Sequence, residues 1–176
     1  MRWRVEHPLA VSRDEALDAA LDASTLTPIH DYMPQVASAS RRSQVTVREG
    51  LVRVVDRFEP AMEPPAFARG VTRDMLGWDL CLDWDLATYA AAFVIDPHVK
   101  PEWKRYASAA GVYRFEPRRG GCARVIDAEL EIRAGMVGAL AERFAVRMLS
   151  QQFAGEARLL EASALSRRQL GRRATG

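Results

Sequence analysis

The side chains best suited to chemistry in this sequence are few and scattered. Three histidines occur, His7, His30 and His98. Their separation matches neither HExxH nor any other metal-ligand spacing, so a metal centre gains no support. His7 alternates with Trp3 and Val5 and shares their face of an extended segment. Turned into an interior, it would orient a ligand hydroxyl or accept a proton, although such a histidine is more often structural. His30 stands in IHDYM, where His30 and Tyr32 offer polar ligand contacts. His98 follows Asp96-Pro97, a loop signal, and is expected at the surface.

Asp79, Asp83 and Asp85 form the densest acidic group on an extended run. Carboxylates on one strand face raise one another's pKa when buried, as acid–base catalysis requires. Here they alternate with Trp78, Leu80, Leu82 and Trp84, so the apolar face goes inward and the carboxylates face solvent. No GxSxG, P-loop or dinucleotide fingerprint is present, and the serines have no recognisable base. No cofactor is expected. Cys81 and Cys122 lack CxxC partners and fall in apolar strand patterns. Free thiols are the first expectation, and a disulfide between neighbouring strands is the alternative.

The chain has 176 residues, 48% hydrophobic and 27% charged, enough for one domain with its own core. Its 25 basic and 23 acidic residues leave a net charge of +2, too balanced to indicate a nucleic-acid partner. The basic residues are almost all arginine; Lys100 and Lys104 are the exceptions. The opening MRWRVEHPL has no signal-peptide core, and the most apolar run, LATYAAAFVI, is about half of a membrane span. A cytoplasmic protein is expected, a monomer or weak homodimer, with any membrane contact peripheral.

The elements that must position these groups follow from periodicity. Arg2 to His7 alternates as a half-buried strand. Ser12 and Glu15 form a capping box that starts a helix over Ala16, Leu17, Ala20 and Leu21. A short helix follows over Pro28 to Met33. Val36–Arg48 and Leu51–Phe58 flank Glu49-Gly50 as a hairpin. EPAMEPP interrupts, and Ala66 to Met75 is expected to hold a turn and a short helix. Four further strands are predicted: one from Trp78, one over Thr88–Ile95, one over Tyr106–Glu116 and one over Cys122–Arg133. A long helix runs from Met136 to about Ala164, with Val137, Leu140, Ala141, Phe144, Met148 and Gln152 on one stripe. The domain therefore spans 1–164, and an Arg-rich tail, expected to fray, spans 165–176. The fold class is α+β, an antiparallel sheet curled around the last helix.

This order resembles the helix-grip fold of the START, Bet v 1 and polyketide-cyclase (SRPBCC) superfamily. The likeness rests on WRVEHPLAVSRDEALDAAL, PPAFARGVTRDMLGWD, YRFEPRRGGCARVIDAELEI and RAGMVGALAERFA. More narrowly the chain is similar to a bacterial branch of that superfamily, the DUF2505 domain family. The resemblance implies a cavity between a concave sheet and the long helix. It implies uses as different as lipid or isoprenoid carriage, hormone reception, aromatase/cyclase chemistry and chaperone activation, and fold alone does not choose among these.

The residues themselves supply inward aromatics: Trp3, Trp78, Trp84, Phe115 and Phe144, with Tyr113 as a further candidate. These either line a hollow or fill a core, and periodicity does not measure volume. The expected function is binding or transport of a small hydrophobic ligand (lipid, isoprenoid or polyketide-like). Trp78, Trp84, Phe115 and Phe144 would supply apolar contact, and Tyr32, His7 and Arg114 polar contact. The alternatives are a cyclase or hydrolase using the same cavity, and a protein-interaction module; a binding role is favoured over an enzyme.

Overall fold

The computed structural model describes residues 1–61, 63–64, 72–133 and 138–174. Part of the proline-rich stretch and the expected helix start at Met136 lie outside the described residues. The chain begins with β1 (Arg2–Leu9), α1 (Arg13–Leu21), a 3-10 turn at Ala23–Leu26 and α2 (Ile29–Tyr32). The hairpin β2 (Val36–Arg48) and β3 (Leu51–Pro60) follows, then a 3-10 turn at Arg73–Leu76. β4 (Trp78–Asp85), β5 (Ala90–Pro97), α3 (Pro101–Lys104), β6 (Ala107–Arg118) and β7 (Gly121–Ile132) lead to α4 (Gly138–Ala174).

The strands form one antiparallel sheet in the order β1-β7-β6-β5-β4-β3-β2. From β2 to β7 each strand pairs with the next in sequence, and β1 closes against β7. Gly50 and Gly120, at φ +75° and +85°, occupy left-handed turn positions between β2 and β3 and between β6 and β7. α4 lies across the concave face, and α1 and α2 pack against its C-terminal half. This is the helix-grip arrangement.

The alternation fixes which face each strand presents. Leu80, Leu82 and Trp84 of β4 are buried, while Asp79 and Asp83 lie on the outer face. Arg57 and Arg53 of β3 grip those carboxylates bidentately at 2.9 and 3.1 Å, and 2.6 and 2.8 Å. The guanidinium hydrogen bonds hold both carboxyls below the usual range. The aspartates are thus cross-strand partners of arginines on a solvated face. Cys81 and Cys122 are free thiols. Burial pushes Cys122 up to about 11, which leaves it an inert thiol at neutral pH.

α1 begins as its capping box requires: Ser12 accepts from the Glu15 amide at 3.3 Å, and Glu15 accepts from the Ser12 amide at 2.8 Å. Arg168 then binds Glu15 through two hydrogen bonds of 2.7 and 2.6 Å, latching α1 to the end of α4. Arg167 reaches Asp22, the Asp18 carbonyl and Thr25 Oγ1. The helix therefore continues through a stretch that composition alone marks as a tail, because its arginines meet the acidic start and end of α1.

Candidate ligand cavity

One end of the helix–sheet sandwich is hollow. A cavity of about 750 Å³ lies between the first half of α4 and the ends of β4 to β7. Its sheet wall comes from Trp78, Ile95, Pro97, Ala107, Ala109, Leu130 and Ile132. The register explains the wall: Ile95, Ala109 and Leu130 stand in one row across β5, β6 and β7, and Trp78 pairs with Pro97 as Ala107 pairs with Ile132. The roof is Ala141, Phe144, Ala145, Met148, Leu149 and Gln152 of α4, one helix face. Met75, Leu76, Val99, Trp103 and Tyr106 complete the rim.

Four of the lining residues, Ala107 and Ala109 of β6 and Ala141 and Ala145 of α4, carry only a methyl group, which leaves room between sheet and helix. The volume lies inside the roughly 300–1,000 Å³ typical of small-molecule sites. The described lining holds no carboxylate, imidazole or thiol. Its one charged residue, Arg133, is exposed and already bonded to Glu131 at 2.9 Å.

The other end is filled. Trp84 stacks on Phe115 at 5.5 Å between ring centroids. Phe93, Tyr113 and Phe153 meet edge to face at 4.7, 5.7 and 6.1 Å. Two charge pairs are enclosed among these rings. Arg41 binds Asp56 through bonds of 2.8 and 3.0 Å, both side chains only 7% exposed, and also caps the carbonyls of Ala20 and Leu21. Arg124 pairs with Glu156 and donates to the Phe153 carbonyl at 2.7 Å. Glu156 accepts further from the Tyr113 hydroxyl at 3.4 Å and from Gln152 Nε2 at 2.8 Å. Burial raises the Asp56 carboxyl above the usual range even beside Arg41, and raises the Tyr113 hydroxyl well above its own. These groups enclose a space of only about 60 Å³, room for little more than water.

The residues expected to form a site divide between these regions. Trp78 and Phe144 line the cavity. Trp78 also stacks on Phe58 at 5.2 Å, which fixes its indole as part of the wall. Trp84 and Phe115 lie in the filled end and border its small space. His7 lies beside Arg124; its Nδ1 is buried without a partner, and desolvation, then Arg124, lowers its pKa to about 4. Tyr32 packs against the core, and its carbonyl accepts from Arg158 at 3.2 Å. Arg114 projects from the outer face and pairs with Asp127. Among the other histidines, His30 Nδ1 contacts the Val36 carbonyl at 3.1 Å, and His98 Nε2 contacts Asp79 at 2.9 Å.

Sequence reasoning did not single out Trp103, Tyr106 or Gln152. A lone tryptophan in the polar stretch VKPEWKRY was a usable signal for a rim residue. Gln152 was visible only as a polar interruption of an apolar helix stripe.

Comparison with known proteins places this geometry. No family model and no curated protein matches the chain. Solved structures do. The Thermus thermophilus protein TTHA0849 is 17% identical, with 94% of this chain covering 98% of that one at a TM-score of 0.66. The di-domain ARO/CYC StfQ from the steffimycin biosynthetic pathway is 15% identical at a TM-score of 0.62. There 96% of this chain covers 52% of StfQ, so the chain spans about half of that protein. Ara h 8.0201 is 12% identical, with 94% of this chain covering 98% of that one at a TM-score of 0.55. At such identities the likeness is one of fold, and the fold is the helix grip: a seven-stranded antiparallel sheet closed around a long C-terminal helix.

Proposed function

We propose that the protein binds a small hydrophobic ligand of the lipid, isoprenoid or polyketide-like kind, and sequesters it in the hollow end. The observation that carries this reading is the cavity of about 750 Å³ with its almost wholly apolar lining. Ligand entry displaces water from aromatic and aliphatic walls, and each Å² of apolar surface removed from water contributes about 25 cal/mol. Trp78 and Phe144 are the principal contacts, with Trp103 and Tyr106 at the rim. Binding rather than acid–base catalysis is favoured because the buried titratable groups His7, Tyr113 and Glu156 do not line this cavity. A place in the DUF2505-like bacterial branch is part of the same proposal.

The test is native mass spectrometry of freshly purified protein beside the variant Ala145→Trp, which puts an indole into the cavity. The expected result is an adduct on the order of several hundred daltons on the wild type, a drug-sized ligand, and none on the variant. Wild-type protein that carries no adduct and also binds no added pyrene overturns the reading.

A further inference from the structure

Among the polar side chains of the described cavity lining Gln152 is the most deeply buried, and its hydrogen-bonding state specifies a ligand group. Polar side chains in the lining are Gln35, Ser108, Arg133, Tyr106, Gln152 and the two indoles. Gln35 is only half-buried, while Ser108, Arg133 and Tyr106 are exposed and belong to the rim. The Nε1 of Trp78 has no hydrogen-bond partner among the described residues, but it is fully enclosed within the wall and does not open on the cavity. Gln152 alone combines a place in the lining with near-complete burial, at 3% exposure. It stands at the inner end of the α4 face, where the hollow region meets the filled one.

Its amide orientation is not arbitrary. Nε2 donates to Glu156 Oε1 at 2.8 Å. Glu156 also accepts from Arg124 and from the Tyr113 hydroxyl, so every contact to that carboxylate is a donor. Flipping the amide would set Gln152 Oε1 against a carboxylate oxygen. Oε1 therefore faces away from Glu156, and it accepts no hydrogen bond from the described residues. Gln152 lines the cavity, and a ligand that displaces water from its carbonyl oxygen without bringing a donor incurs a desolvation cost that a ligand donor avoids.

Resting on the cavity-binding reading above, we propose that the ligand is an uncharged, largely apolar molecule with a hydroxyl at its leading end, which donates to Gln152 Oε1. A phenol and an alcohol share this chemistry. A carboxylate or phosphate does not: it brings only acceptors to an acceptor, and the buried lining offers no cation. A ketone or ether leaves Oε1 unsatisfied. Gln152 is thus the specificity-determining residue, and the Arg124–Glu156–Tyr113 cluster fixes its orientation.

A matched fluorescent series tests the assignment: pyrene, 1-hydroxypyrene, 1-pyrenemethanol, 1-methoxypyrene and pyrene-1-carboxylate, titrated at pH 6, where the phenol is protonated. The expected order places both hydroxyl probes about five- to tenfold tighter than 1-methoxypyrene, one net hydrogen bond. Pyrene-1-carboxylate binds weakest. In Gln152→Leu the gap between 1-hydroxypyrene and 1-methoxypyrene closes to within about twofold. Equal wild-type affinity for the hydroxyl and methoxy probes, or a preference for the carboxylate, overturns the assignment while leaving a ligand cavity in place. Failure of every probe to bind overturns the cavity reading and this inference with it. Should Gln152→Leu fail to fold, the wild-type ranking alone decides.

Discussion

The two halves of α4 lie over the same sheet and meet opposite fates. From Gln152 onward the helix is packed shut: Phe153, Ala157, Leu159 and Ala164 are each no more than 3% exposed, against aromatic stacks and enclosed ion pairs. Before Gln152, Ala141, Phe144, Ala145 and Met148 line the cavity. Both halves have apolar inner faces. The difference is side-chain volume: Trp84, Phe115 and Tyr113 fill the space at one end, while Ala107, Ala109, Ala141 and Ala145 are among the residues that line the other. Charge is partitioned in the same way. The enclosed ion pairs lie in the filled half, where rings and helix ends surround them, and the hollow half keeps its charges at the rim.

Substitutions in the two halves should differ in their effects on stability and binding. The largest effect is expected from Arg124→Ala, which leaves Glu156 enclosed without its guanidinium and should cost about 3–5 kcal/mol in urea unfolding. The double replacement Arg124→Leu with Glu156→Leu should recover most of that loss, since no buried charge remains. A double variant as unstable as the single one would mean that the pair holds the fold by more than mutual neutralisation.

Next comes a pair of equal truncations. Phe153→Ala removes a fully buried ring and should cost about 3–4 kcal/mol, more than Phe144→Ala, whose ring is only half-buried. The order should reverse for pyrene affinity, which Phe144→Ala weakens and Phe153→Ala spares. Equal stability losses would show that the two halves are packed alike.

Gly155→Ala probes closeness directly. A Cβ there would lie 2.2 Å from Met33 Cγ and 2.8 Å from the Tyr32 carbonyl oxygen, so α2 must shift. A destabilisation of about 1–3 kcal/mol is expected, from the addition of one methyl group. A neutral or stabilised variant would show that α2 is loosely held.

The smallest effect concerns pH. His7 is neutral in the fold until about pH 4, whereas its unfolded value is 6.5, so the unfolded chain takes up the proton first. The stability this contributes is complete above pH 6.5 and is lost as pH falls through the window down to about 4. His7→Gln should reduce the stability lost between pH 7 and 4.5 by about 1–2 kcal/mol, followed by thermal melts. An unchanged acid limb would mean that His7 is hydrated in the folded state.

Much of the fold was legible because it rests on local rules. The alternation of Trp78 to Leu86 against Asp79, Cys81, Asp83 and Asp85 set the sidedness of β4. Ser12 and Glu15 marked the start of α1, and Gly50 the turn after β2. The site was less legible. Trp78 and Trp84 occupy the same face of one strand, yet one lines the hollow and the other stacks in the filled end. No local pattern distinguishes them, because the difference lies in which residues stand opposite on α4. The fraying expected after Ala164 had the same source: Arg167 and Arg168 are surface charges in sequence and meet Asp22 and Glu15 only across the fold.

Periodicity and capping within a few residues were enough to specify the strands, their inward faces, the start of α1 and a long last helix under an antiparallel sheet. The packing of distant residues set where the cavity lies, brought Arg124 and Glu156 together at the other end, and put Gln152 between them. Volume and electrostatic pairing are sums over residues distant in the chain, and those sums exist only once the sheet has closed on the helix.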